Sequence, residues 1–223
     1  MSRFYETKIE CPKCNQSSSF CIWESINTSL DPEMKEKVKD QSAFMFTCPN
    51  CGEKTGVDYG FLYHQMEDKI MIAYSNSDKN EEEMYSLFTE EHDNVLGLEN
   101  IFLKGGYLMR IVRSLNALRE KIYIFDDSLD DRIIEIYKLF LYVKLTESAS
   151  APEDVAIFYL GGEQPRFEAV TSNGFVGAVD FNKDFYNSLI KEYTDLMPEL
   201  RHDEPIVDRR YAMSFLRIKD NEE

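Results

Sequence analysis

Cys11-Pro12-Lys13-Cys14-Asn15 and Cys48-Pro49-Asn50-Cys51-Gly52 are two copies of one short pattern, with 33 residues between Cys14 and Cys48. A C-x-x-C turn presents two sulfurs to one ion, and zinc favours four-coordinate tetrahedral thiolate sites. The neighbouring residues suit that geometry. Pro12 and Pro49 preset φ inside each turn. Asn15 and Gly52 follow the second cysteine, where a knuckle turns left-handed, and these two residue types tolerate that conformation best. Backbone N–H groups in such a turn point at the sulfurs and offset their charge, and Lys13 and Lys54 offset it further. The expected ligands are therefore Cys11, Cys14, Cys48 and Cys51, and the expected cofactor is a structural Zn2+, with iron or a redox dithiol as alternatives. Catalytic zinc keeps one position open for water; four cysteines close the site. A thioredoxin-like motif would place one C-x-x-C at a helix start instead of two among strands. Cys21, the fifth cysteine, reads as a small buried hydrophobe, with a reactive or ligand role as the alternative.

Working outward, residues 5–10 and 18–24 read as strands around the first knuckle, and Asp31 to Asp40 as one short helix. Ala43 to Thr47 leads into the second knuckle and Thr55 to Tyr63 leads out, followed by a strand over Lys69 to Ser75. The polar run from Ser75 to Asn80 marks a soft boundary, and a short helix is expected over Glu81 to Glu91. Leu108, Ile111, Val112, Leu115, Leu118 and Ile122 fall three and four apart, which predicts a helix with one buried stripe. Ser128 followed by Asp131 resembles a cap for a second helix from Leu129 to about Lys144, apolar enough to pack on more than one side. A helix pair is thus expected over residues 106–145. Beyond it, Val155 to Leu160 reads as a buried strand, and Asn173-Gly174 as the turn of a hairpin between Arg166–Thr171 and Phe175–Phe181. Asn182 is placed to cap a helix carrying Phe185, Leu189, Tyr193 and Leu196, ended by Pro198. Tyr211, Met213 and Phe215 alternate as a last strand.

The chain of 223 residues carries a formal charge of −16, unevenly placed. Residues 1–60 hold 7 basic and 9 acidic groups, and the remainder 18 and 32, so the net is −2 against −14. A field of that sign repels phosphate backbones and anionic membranes, which makes nucleic acid a poor partner, although the nearly neutral N-terminal part escapes this argument. The N-terminus lacks the apolar core of a signal peptide, and no run approaches ~18 apolar residues. A cytosolic protein is expected, in which paired cysteines serve metal and not disulfides.

Weaker candidates remain. His64 stands near the outgoing ribbon strand and reads as a hydrogen-bonded strand-end histidine, or as a base or partner contact; His92 and His202 are isolated. Asp126, Asp127, Asp130 and Asp131 read as carboxylates stabilising a helix start, with cation binding or paired-acid work as the alternative. Position 12 counted from Asp126 is Tyr137, so no EF-hand is present. Gly105-Gly106 and Gly161-Gly162 belong to no phosphate-binding fingerprint. Arg201, Arg209 and Arg210 read as salt-bridged surface, with a binding patch as the alternative.

Together the knuckles, Trp23-Glu-Ser-Ile-Asn27, Tyr63-His64, and the segment Glu120-Lys-Ile-Tyr-Ile-Phe125 through Asp130-Asp-Arg-Ile-Ile-Glu135 resemble the CpXC family of bacterial and archaeal proteins. The likeness covers most of residues 8–145. It implies a zinc-ribbon-like N-terminal unit with the four knuckle cysteines as ligands, and it implies no activity. The expected fold is α+β: a zinc-ribbon-like β unit over 1–76, then an acidic region over 77–223 with a helix pair and a mostly antiparallel β-region packed on it. The expected role is a non-enzymatic protein-interaction or regulatory module whose partner is another protein. The alternatives are a hydrolase using His64 with helix carboxylates, and a nucleic-acid-binding ribbon.

Overall fold

The computed structural model describes residues 2–89, 105–147, 154–197 and 204–220. Contacts within the chain divide it into two compact units, Met1–Arg119 and Glu120–Glu223. The fold is α+β, with six helices and ten strands among the described residues.

In the first unit, β1 (Arg3–Glu10) and β2 (Ser17–Asn27) form a long antiparallel hairpin with the first knuckle at its tip. The chain then runs through α1 (Glu33–Lys39), which buries Met34 and Val38, into a short hairpin of β3 (Met45–Thr47) and β4 (Lys54–Gly56) with the second knuckle at its tip. β5 (Phe61–Gln65) lies parallel to β2 and antiparallel to β6 (Ile70–Tyr74); α2 (Asp78–Thr89) follows, and β7 (Leu108–Val112) lies parallel to β6. The sheet order is β1-β2-β5-β6-β7. The division expected at residue 76 falls between β6 and β7, which are paired neighbours in this sheet. The single strand expected over Thr55 to Tyr63 is instead β4 and the start of β5, in two separate sheets.

The stripe beginning at Leu108 is not helical throughout. Residues 108–112 form β7, and α3 begins only at Leu115 and runs to Asp126. Apolar residues three and four apart fit a helix, but a run of five in which only Arg110 is polar, with Met109 to Val112 all buried, also fits a two-sided parallel strand, and spacing alone does not separate them. Ser114 marks the change: its hydroxyl accepts the Ala117 N–H at 3.1 Å, a helix N-cap.

The second unit begins within α3. Ser128 does not cap the following helix. It takes φ 56° at the end of α3, where its N–H donates to the Phe125 carbonyl (3.0 Å) and the Leu129 N–H to that of Ile124 (2.9 Å), a Schellman ending. Asp130 caps α4 (Asp131–Thr146) by accepting the Arg132 N–H at 2.9 Å. The first half of α4 is buried on every side, and the helix packs against β8 (Ala156–Leu160), α5 (Lys183–Tyr193) and α6 (Arg209–Asp220). β8 joins β9 (Arg166–Thr171) and β10 (Gly174–Asp180) in an antiparallel sheet of order β10-β9-β8. The hairpin turn is Ser172-Asn173, one residue earlier than expected. Gly174, at φ 113°, already pairs with Thr171, and the Asp154 carboxylate fixes Ser172 through its N–H (2.9 Å) and hydroxyl (2.6 Å). Asn182 caps α5 as expected, accepting the Phe185 N–H at 2.9 Å. The strand expected at Tyr211 to Phe215 is helical: Ala212 and Phe215, three apart, are buried while Met213 is exposed, so the period is that of a helix.

Five charged side chains share the interior of this unit. Lys121 donates to Asp131 (2.9 Å) and to the Val207 carbonyl (2.8 Å), and lies 3.5 Å from Glu135. Lys138 donates to Glu120 and Glu135, each at 2.9 Å, and Glu120 also accepts the Tyr159 N–H at 2.7 Å. Three carboxyls against two lysines leave the group one negative charge in excess. Burial raises the Glu120 carboxyl above the usual range, against the pull of Lys138. Removing one partner strands the others without water, so Lys138→Met is expected to lower stability in urea by about 3–5 kcal/mol. A carboxyl raised in the native state holds its proton better folded than unfolded. Its contribution is fully present at low pH and is lost as the pH climbs from the ordinary glutamate value, about 4.3, through the raised native one. The stability difference between Glu120→Gln and the parent should therefore move in the variant's favour as pH rises across that window; a difference independent of pH would show that Glu120 titrates normally.

Candidate metal centre

Each knuckle closes its hairpin with the same two backbone hydrogen bonds. The Cys11 N–H donates to the Gln16 carbonyl (3.1 Å) and the Asn15 N–H to that of Cys11 (2.9 Å). In the second, the Cys48 N–H donates to the Glu53 carbonyl (2.8 Å) and the Gly52 N–H to that of Cys48 (2.9 Å). Asn15 and Gly52 take φ of 57° and 73°, the left-handed turn expected of them.

The two tips meet. Cys11 Sγ lies 3.6 Å from Cys51 Sγ, Cys14 Sγ lies 3.7 Å from Cys48 Sγ, and all four sulfurs lie within 4.8 Å of one another. Sulfurs ~2.3 Å from a shared tetrahedral ion stand about 3.8 Å apart, so this donor set fits a metal ion. Among the described residues it is the group of His, Cys, Asp and Glu side chains gathered closely enough to hold one. Cys11 and Cys48 are buried, Cys14 is half-buried and Cys51 exposed, so the site is set into the ribbon with one corner at the surface. Its apolar support is thin: Phe46 packs with the two buried cysteines, flanked by Ile9, Phe20 and Val57, and the Phe20 and Phe46 rings meet edge-on at 6.2 Å.

Two contacts cross between the knuckles and were not legible in the motif. Asn50 Nδ2 donates to Cys14 Sγ at 3.5 Å, and Lys13 Nζ pairs with Glu53 at 3.0 Å. The hydrogen bonds of Asn50 and of the Gln16 backbone lower the Cys14 thiol to about 6. At Cys51 the Glu53 backbone N–H acts downward but is outweighed by desolvation and the neighbouring sulfurs, which push that thiol up to about 12. Cys14 is therefore the more readily ionised of these two thiols. Glu53, first by its hydrogen bond and then by its charge, raises the Lys13 ammonium, so Lys13 reaches the site's edge as half of an ion pair.

The other candidates lie elsewhere. Cys21 is half-buried on β2 opposite Glu6, and desolvation followed by the Glu6 charge raises its thiol. His64 Nε2 lies 3.1 Å from the Tyr107 hydroxyl, and desolvation lowers its imidazole. The acids at the start of α4 have separate tasks: Asp127 accepts the Tyr159 hydroxyl (2.6 Å), Asp130 caps the helix and pairs with Arg132 (2.8 Å), and Asp131 holds Lys121. Arg209 stacks 3.7 Å from the Tyr142 ring centre, and Arg210 lies 3.7 Å from Asp208. His92, Arg201 and His202 fall outside the described residues.

Nothing lies within 4 Å of the position a side chain would take at Gly52, so a substitution there meets only the cost of its left-handed backbone. Gly52→Ala is expected to destabilise the protein by about 1 kcal/mol, whereas Asn15→Gly should change stability little. Paired urea melts of the two variants check this.

Among curated proteins and among solved structures, none matches the chain. A family profile does: that described as CpXC protein matches residues 9–138, which span both knuckles, β2 to β7, α1 to α3 and the first half of α4. With more than half its length matched and the four cysteines of the motif drawn to one point, the chain belongs to the CpXC family.

Proposed function

We propose that Cys11, Cys14, Cys48 and Cys51 bind one zinc ion in a closed structural site, and that the chain serves as a module that engages another protein. The observation that carries the metal reading is the sulfur spacing, 3.6 and 3.7 Å across the two tips. Four thiolates suit zinc by softness and geometry, and they leave no position for a reacting water. The small apolar cluster under the knuckles supports a structural role, because a ribbon with so thin a core gains its folding energy from the ion. Free thiols of this kind belong to a reducing compartment such as the cytosol. The partner reading rests on charge and exposure. A net −16 disfavours nucleic acid, and among the described residues no helix is long and apolar enough to cross a membrane. Phe4 and Tyr5 stand half-exposed or more on β1, an edge strand, which is the kind of surface that another polypeptide covers.

Native mass spectrometry of the protein, purified gently from its host, tests both halves. One zinc per chain is expected, lost in Cys48→Ser together with several kcal/mol of stability. A Cys48→Ser protein that keeps its zinc and its melting temperature would overturn the site. Visible absorbance would indicate iron, and four freely reactive thiols without metal would indicate dithiol chemistry. A companion polypeptide in the native mass supports the module. A hydrolytic activity abolished by His64→Ala with zinc retained would replace it.

A further inference from the structure

The second unit carries a cleft that the metal reading does not use. It lies between the second half of α4 and the corner where β10 passes into α5, and its volume is about 430 Å³, inside the range of roughly 300–1,000 Å³ common to small-molecule sites. Tyr137, Phe140, Leu141 and Lys144 face it from α4, at the three- and four-residue spacing that puts them on one side of a helix. Val179 and Phe185 complete the apolar wall.

The walls are fixed by their own packing. The Phe185 ring stands edge-on to Tyr137 at 4.7 Å and to Phe140 at 5.6 Å. The Tyr137 hydroxyl accepts the Asn182 N–H at 3.1 Å, which pins the β10–α5 corner to α4. Such a cleft needs little rearrangement to admit a flat apolar group, and Phe140 remains 36% exposed at its mouth.

Two opposite charges border this apolar surface. Lys144 enters from α4 and Asp180 from the end of β10, and among the described residues neither side chain has an ion pair or hydrogen bond, with each other or with any neighbour. In a unit so dense in ion pairs, an unused cation and an unused anion bordering one aromatic cleft form a complementary pattern. It matches a ligand that carries both charges itself.

We propose that this cleft binds a small zwitterion with an aromatic body, of the chemistry of a free aromatic amino acid. Its carboxylate lies on Lys144, its ammonium on Asp180, and its ring against Phe140 and Phe185. The ring supplies contact area and the two charges orient it, since either charge alone would leave one rim group unanswered.

Tryptophan, tryptamine and indole-3-acetate are the probes, titrated into the full chain and followed by backbone-amide NMR. Tryptophan is expected to bind most tightly, with shifts confined to residues of α4, the end of β10 and the start of α5. Losing either charge on the ligand should weaken binding about fivefold, the upper worth of one exposed ion pair. Lys144→Glu should reverse the preference toward tryptamine, and Asp180→Asn should erase the advantage of tryptophan over indole-3-acetate. Both residues are exposed, so these variants keep the fold, which the same spectra verify. No shifts with any probe at millimolar concentration would overturn the proposal. So would equal binding of all three probes that both variants leave unchanged, or shifts that map elsewhere.

Discussion

Four sulfurs held within 4.8 Å of one another repel as they ionise, and a cation at their centre is what turns that repulsion into attraction. The first unit brings both of its knuckles to this one point. Its two knuckles sit on hairpins of different rank, one at the end of the long β1–β2 pair and one inside the connection that carries the chain from β2 to its parallel neighbour β5. An ion gripping both tips would close the loop between Cys14 and Cys48, as a disulfide closes the loop it spans. Asn50 and Lys13 extend the same logic, because each reaches from its own knuckle to the other.

The second unit meets a similar electrostatic demand with its own side chains. Lys121 and Lys138 pair with Asp131, Glu120 and Glu135 inside the fold, and Tyr159 and Val207 complete the hydrogen bonding from the backbone. Apolar residues of similar volume would have stabilised this interior as well or better. What charges add is direction: each bond is satisfied in one arrangement of α3, α4 and β8, which narrows the ways three packed elements can slide.

The local chemistry of turns was the most legible part of the sequence. The left-handed positions at Asn15 and Gly52 and the Asn182 cap follow from residue types acting on their own backbone within a few residues, and the gathering of the four cysteines from the repetition of one motif. Legibility failed where period alone had to separate helix from strand. Residues 108–112 are buried on both faces of β7, Arg110 included, and their apolar members read as a helical stripe when joined to Leu115 and Leu118. Tyr211, Met213 and Phe215 alternate in sequence, yet the buried partner of Phe215 is the small Ala212, which apolar bulk does not reveal. Ser128 misleads for a related reason: a serine suits a helix start, and only the φ of 56° shows that it ends one instead. The cross-knuckle bonds of Asn50 and Lys13 depend on how two distant hairpins meet, which no local pattern contains.

β6 has a consequence for the chain's birth. Its five residues are all buried, and its second neighbour, β7, begins only at Leu108, well beyond Tyr74. At ribosomal rates of about 5–20 residues per second, the nascent protein holds an apolar strand with one naked edge for a few seconds before its complement is synthesised. Parallel pairing across so long a connection cannot be hurried by any hairpin, since no local turn brings the two strands together. The interval in which this protein is most in need of a chaperone is therefore set by codon count and not by the chemistry of its cysteines.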